Sequence, residues 1–162
     1  MKGLIYMKED QRKEKMCLFF TSDYHFEMIS LPYISKNLED NKEIIMITEN
    51  NLEQSVEKVL DRINLAEQKK ELIKQIDWNN KNLNKFDQLK EEEQEKKDTI
   101  IFIKGKENYI NNINKNIKNW INLDNVEMID CYDINDVKED INLIVKKYDK
   151  ILSTSGIEKL LK

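Results

Sequence analysis

Short apolar runs separated by stretches of helical periodicity constrain this chain more than any other feature. "MCLFF" (16–20), "EIIMITE" (43–49), "TIIFIKG" (99–105), "VEMIDCY" (126–132) and "KILSTSG" (150–156) are rich in strand formers and too short for helices. "EIIMITE" is apolar without alternation, the pattern of a strand buried on both faces. Between the runs, apolar residues recur every three to four positions. They are Phe26, Ile29, Tyr33 and Leu38; Leu52, Val56, Val59, Leu60 and Ile63; Ile110, Ile113, Ile117, Trp120 and Ile121; and Val137, Ile141, Ile144, Val145 and Tyr148. No hairpin turn signal joins successive runs, so crossover connections are expected. The pattern predicts an α/β fold, a three-layer doubly wound architecture around a mostly parallel sheet of about 5–6 strands.

Local signals refine this outline. Ser22 or Asp23 is placed to cap the first helix, and Pro32, the only proline, is expected to kink that helix or mark its first turn. Residues 72–78, "LIKQIDW", read as a third strand, because Leu72, Ile73, Ile76 and Trp78 break the preceding helical stripe and an Asn pair follows. A polar helix is expected over about 83–96, its "KEEEQEKK" run a solvated face. The last run, 150–156, is expected to enter a short terminal helix. No Pro-, Gly- or Ser-rich linker divides the chain, so residues 14–162 form one domain preceded by an arm over 1–13.

The 162-residue length suits one core. With 31 acidic residues against 27 basic ones and Arg12 and Arg62 the only arginines, the basic excess of a nucleic-acid reader is missing. No stretch reaches the roughly 18 apolar residues of a membrane span, and the first residues lack a secretory signal. Cys17 and Cys131, far apart and inside apolar runs, fit reduced, buried thiols. A cytoplasmic protein is expected, with neither nucleic acid nor membrane as partner.

Ligands of open parallel sheets bind outside the carboxyl ends of the strands. This selects Asp23, Tyr24 and His25 after the first run, Trp78 as an apolar wall, Lys104 and Lys106, Tyr132 and Asp133, and the hydroxyls of Ser153, Thr154 and Ser155. Asp23 and Asp133 are candidates for a carboxylate pair. The loop "TSDYHFE" has no glycine to cradle phosphate and puts Asp23, and with it Glu27, where phosphate charge belongs. Glycines at 3, 105 and 156 cannot form a dinucleotide fingerprint. "STSG" reads as the best anion site, on the expectation that it opens a helix. With a single histidine, His25, no multi-histidine metal site can form and any triad depends on that residue. No catalytic residue, metal or cofactor is assigned.

"IDCYDIND", its following helix and "DKILSTSG" resemble the closing part of the MEDS family, the methanogen/methylotroph DcmR sensory domain. "CLFFTSDYHFEMISLPYISKNLEDNKEIIMITE" is similar to that family's start, and the resemblance spans roughly residues 15–156. A histidine before the first strand and a glycine at the first helix end, part of the family pattern, are absent here. The resemblance implies a degenerate RecA/KaiC-like fold without a phosphate loop and a sensory or regulatory role. Under it the chain binds an unknown small molecule and signals through a protein partner or a homodimer. The alternatives are an enzyme of nucleotides or phosphate esters using Asp23 or His25 as base, and a purely structural interaction module.

Overall fold

The computed structural model describes residues 14–81, 97–117 and 125–160. The N-terminal arm, the polar helix expected over 83–96, and Trp120 and Ile121 lie outside these residues. Strand β1 (Met16–Phe20) leads into helix α1 (Asp23–Glu39), followed by β2 (Glu43–Thr48), α2 (Glu53–Arg62) and α3 (Glu67–Lys74). Strand β3 (Thr99–Gly105), α4 (Glu107–Asn116), β4 (Val126–Asp133), a 3₁₀ turn (Ile134–Asp136), α5 (Ile141–Val145), β5 (Lys150–Ser153) and β6 (Gly156–Lys159) complete the order. The strands form one six-stranded sheet in the order β2-β3-β4-β1-β5-β6. All neighbours are parallel except β5 and β6. The fold is α/β, with helices over both faces.

The uninterrupted apolar runs follow from this double coverage. Met16, Leu18 and Phe20 of β1, Ile44 and Met46 of β2, and Ile100 and Phe102 of β3 pack with Phe26, Ile29 and Ile34 of α1 and Val56 and Leu60 of α2. The alternate residues Cys17, Ile45, Ile47, Ile101 and Ile103 pack on the opposite face with Ile110 and Ile113 of α4 and Ile144 of α5. Helix α1 starts where expected: Ser22 is its N-cap, its Oγ accepting from the His25 amide at 3.1 Å. Pro32 is interior, not in the first turn, and the helix runs on to Glu39. The helix expected from Val137 to Tyr148 is shorter than its pattern: α5 holds only Ile141–Val145, while Val137 and Tyr148 pack from the flanking segments.

Two expectations are corrected. Residues 72–78 are not a strand, since α3 continues to Lys74 and a turn follows. Leu72 faces solvent while Ile73 and Trp78 are buried, a pattern no alternating strand produces. Trp78 turns its indole N–H onto the carbonyl of Ile73 at 2.9 Å, which supplies an acceptor to a buried donor and ties down the helix end. The terminal helix is also absent: Ser153 pairs with Gly156 across a tight turn, and β6 returns antiparallel to β5. Gly156 has φ +99°, the backbone conformation at which glycine closes this kind of hairpin. The sheet thus reaches six strands through β6 and without residues 72–78.

Candidate functional site

The carboxyl ends of β1 to β4 meet at one edge, with Phe20 beside Asp133, Thr48 beside Lys104 and Gly105 beside Tyr132. After β1 and β2 the chain passes to one face of the sheet, and after β3 and β4 to the other. Crevices form where neighbouring strands diverge in this way. On the face covered by α1 and α2, where the loops after β1 and β2 meet the end of β3, the edge holds a polar knot. Lys104 Nζ donates to Asp23 Oδ1 and to Asn50 Oδ1, each at 2.9 Å, and Asn50 Nδ2 donates to Asp23 Oδ2 at 3.0 Å. The Lys104 side chain is 3 % exposed and that of Asp23 41 %. The ammonium also lies 4.7 Å from the ring centre of Phe20 and 5.4 Å from that of Phe26, over faces that favour a cation.

The adjoining loop is filled in the same manner. Lys106 N–H, at the start of α4, donates to Glu49 Oε1 at 2.9 Å. Gly105 makes room for this carboxylate: a Cβ there would lie 2.8 Å from Glu49 Oε1 and 2.7 Å from a ring carbon of Tyr109. At two places on the edge where a phosphate would find a lysine or a helix N-terminus, a carboxylate of the chain already stands.

Glu27, one turn beyond Asp23 on α1, is fully buried. Its Oε1 accepts from Ser55 Oγ at 2.7 Å, while Oε2 meets no donor among the described residues. Burial pushes its carboxyl above the ordinary range, against the opposing pull of the Ser55 hydrogen bond; Asp23 adds to the rise and Lys104 counters it.

The other expected residues do not converge on this knot. His25 Nδ1 accepts from the Thr21 amide at 2.9 Å, which fixes that nitrogen as an acceptor and makes the ring part of its own turn. Tyr24 is 57 % exposed beside it. Asp133 does not pair with Asp23: its Oδ1 accepts from Asn135 N at 2.9 Å at the 3₁₀ turn, while Asn135 Nδ2 reaches Thr21 O at 3.2 Å. Trp78 belongs to the core instead of walling the edge. Ser153, Thr154 and Ser155 form the β5–β6 turn, with Ser155 N donating to Ser153 Oγ at 3.2 Å. That turn opens no helix but leads into β6, so no helix N–H groups stand there to bind the expected anion. Strand β5 is three places from β3, roughly 14 Å at about 4.8 Å per strand.

Tyr132 points to the opposite face, into a network unforeseen from the sequence. Its hydroxyl meets that of Tyr148 at 2.5 Å, Tyr148 donates to Asp130 Oδ2 at 2.6 Å, and Asn114 Nδ2 lies 3.2 Å from both Asp130 oxygens. Burial raises the Asp130 carboxyl despite these donors. Cys17 and Cys131 are free and fully buried. Burial, with the nearby Asp130 charge, pushes the Cys17 thiol up to about 12 and the Cys131 thiol well above its usual value. Neither is a ready nucleophile at neutral pH.

Among the described residues, no group of three or more His, Cys, Asp or Glu side chains is arranged to hold a metal ion. Nor is any described helix long and apolar enough to cross a membrane. Fold and site define a three-layer α/β protein whose carboxyl edge is tied by its own ion pair. The chain matches no family model, no curated protein and no solved structure.

Proposed function

We propose that this chain is a non-enzymatic sensory or regulatory binding domain, of the kind the MEDS resemblance implies, recognising a small ligand at the carboxyl edge of its sheet. The observation that carries the reading is the knot of Lys104, Asp23 and Asn50. Phosphate binding at this crevice requires uncommitted donors and positive charge, whereas here a carboxylate occupies the crevice and the buried ammonium is engaged by it. A neutral or cationic ligand meets no such conflict, because the Asp23 side chain keeps 41 % of its surface open beside exposed Tyr24. The knot joins the loops after β1 and β2 to the end of β3, so a ligand that displaces one of its bonds alters several loops together. That supports output through a protein partner or a second copy. The free, buried thiols suit the reducing cytoplasm, where we place the protein.

A thermal-shift screen against nucleotides, cofactors, small metabolites and metals tests this reading, because a ligand specific to the folded state raises its apparent stability. A neutral or cationic compound is expected to raise the transition temperature, with the response lost in Asp23→Ala. Micromolar nucleotide binding with turnover abolished by Asp23→Ala refutes it in favour of an enzyme. An alanine series along the edge that leaves partner binding unchanged refutes it in favour of a structural interaction module.

A further inference from the structure

The helical layer over α1 carries a second feature, away from the carboxyl edge. A cavity of about 370 Å³ lies between α1 and the α2–α3 segment, walled by Leu31, Pro32, Val59, Ile63 and Leu65. Its size falls within the range of small-molecule sites, roughly 300–1,000 Å³. Glu27 and Glu39 both line it and stand twelve residues apart on α1, roughly 18 Å at about 1.5 Å per residue. At the Glu39 end that residue forms an ion pair with Lys69, and both side chains line the cavity.

The other end is chemically incomplete. Glu27 has no exposed surface and one of its carboxylate oxygens meets no donor among the described residues, although buried acceptors are normally paired. Lys104, a cation within electrostatic reach, directs its ammonium to Asp23 and Asn50. Pro32, which has no N–H to give to the carbonyl of Met28, interrupts the helix ladder along the same wall. Lys36 and Lys69 line the cavity towards Glu39, and the unpartnered carboxylate oxygen stands at the Glu27 end, so a donor that carries positive charge is favoured at Glu27, away from the two lysines.

We propose that this cavity binds a small amine carried on an apolar body, the ammonium meeting Glu27 Oε2 and the hydrocarbon lying against Leu31, Val59 and Ile63. Oε2 has no accessible surface, so entry requires a side-chain rotation; Met28, unbranched and 38 % exposed, stands at that wall. Glu27 lies one helical turn from Asp23, so an ammonium bound there changes the field at the Lys104 knot. The inference rests on the regulatory reading for its biological meaning, but its chemistry stands apart from the edge.

The test titrates 2-phenylethylamine and hexylamine into the full chain, followed by amide NMR shifts and calorimetry. The controls are 2-phenylethanol and 3-phenylpropionate, which keep the apolar body without the ammonium. Saturable binding at one site is expected for the amines. It should be about ten-fold or more weaker for both controls and in Glu27→Gln, the loss due to one charge-assisted hydrogen bond. Ile63→Trp, which fills the cavity without altering Glu27, should abolish binding while leaving the circular dichroism spectrum intact. Equal binding of the acid or alcohol, unchanged affinity in Glu27→Gln, or no saturation by either amine overturns the proposal. Asp23→Asn reads the edge separately: an edge response that survives while amine binding fails removes this inference alone, and the reverse outcome removes the edge reading alone.

Discussion

Removing either partner of the Lys104–Asp23 pair breaks the same 2.9 Å bond, yet the two losses should differ. Asp23→Ala leaves an ammonium that is 3 % exposed, with only Asn50 Oδ1 and the faces of Phe20 and Phe26 to hold it. Stranding a fully buried charge costs about 3–5 kcal/mol, and the remaining contacts put this case near the lower end, about 3 kcal/mol. Lys104→Met leaves a carboxylate whose side chain is 41 % exposed, so water replaces much of the lost partner. Methionine fills similar space and carries no charge to desolvate, so the net cost should be about 1 kcal/mol. The difference, about 2 kcal/mol, corresponds to about 1 M in urea midpoint for an m-value of about 2 kcal/mol/M. Urea unfolding followed by circular dichroism, with the double variant closing the cycle, reads it directly. Equal losses, or a larger loss for Lys104→Met, refute the assignment of a buried ammonium held by a half-exposed carboxylate.

Glu27 has a raised folded-state pKa, so its contribution to stability is fully present below the ordinary value of 4.5 and is lost as pH rises through the folded value. Glu27→Gln should therefore gain stability relative to the parent as pH is raised from 4.5 towards 7; a difference independent of pH in chemical-denaturation curves contradicts this. Cys17 and Cys131 should resist a thiol-specific disulfide reagent in the native protein at pH 8 and both react once it is unfolded. Rapid native labelling of either breaks the account of the two cores. Gly156→Ala should cost about 1–2 kcal/mol from backbone strain alone, since a Cβ there meets nothing within 4 Å. An unchanged melting temperature excludes that strain.

How legible an element was depended on whether its determinants are local. Strands β1 to β4 are plain in the sequence because both faces are buried, so their apolar runs need no register to be recognised. Lys104 stood out as a charge closing such a run, and Asp23 as an acid where a phosphate loop has glycine. Residues 72–78 misled because Ile73 and Trp78 are buried through a helix end and an indole hydrogen bond, not through alternation. The hairpin did have a signal: in Ser153-Thr154-Ser155-Gly156 the serine and glycine occupy the first and fourth positions favoured in a type I turn. Asp130, inside an apolar run, was a visible anomaly, but its partner Tyr148 is 18 positions away, and the Ser55 partner of Glu27 is 28 away. Such pairings are created by the fold, and no spacing rule encodes them.

If Asp23 and Lys104 fill the place at which a nucleotide enzyme of this architecture holds phosphate, magnesium–ATP finds no site there. Calorimetric titration of magnesium–ATP into the full chain, with phosphate release measured on the same sample, tests it most directly. No saturable heat is expected at millimolar nucleotide, and no turnover above the protein-free rate. Micromolar binding accompanied by hydrolysis, both lost in Asp23→Ala, contradicts it.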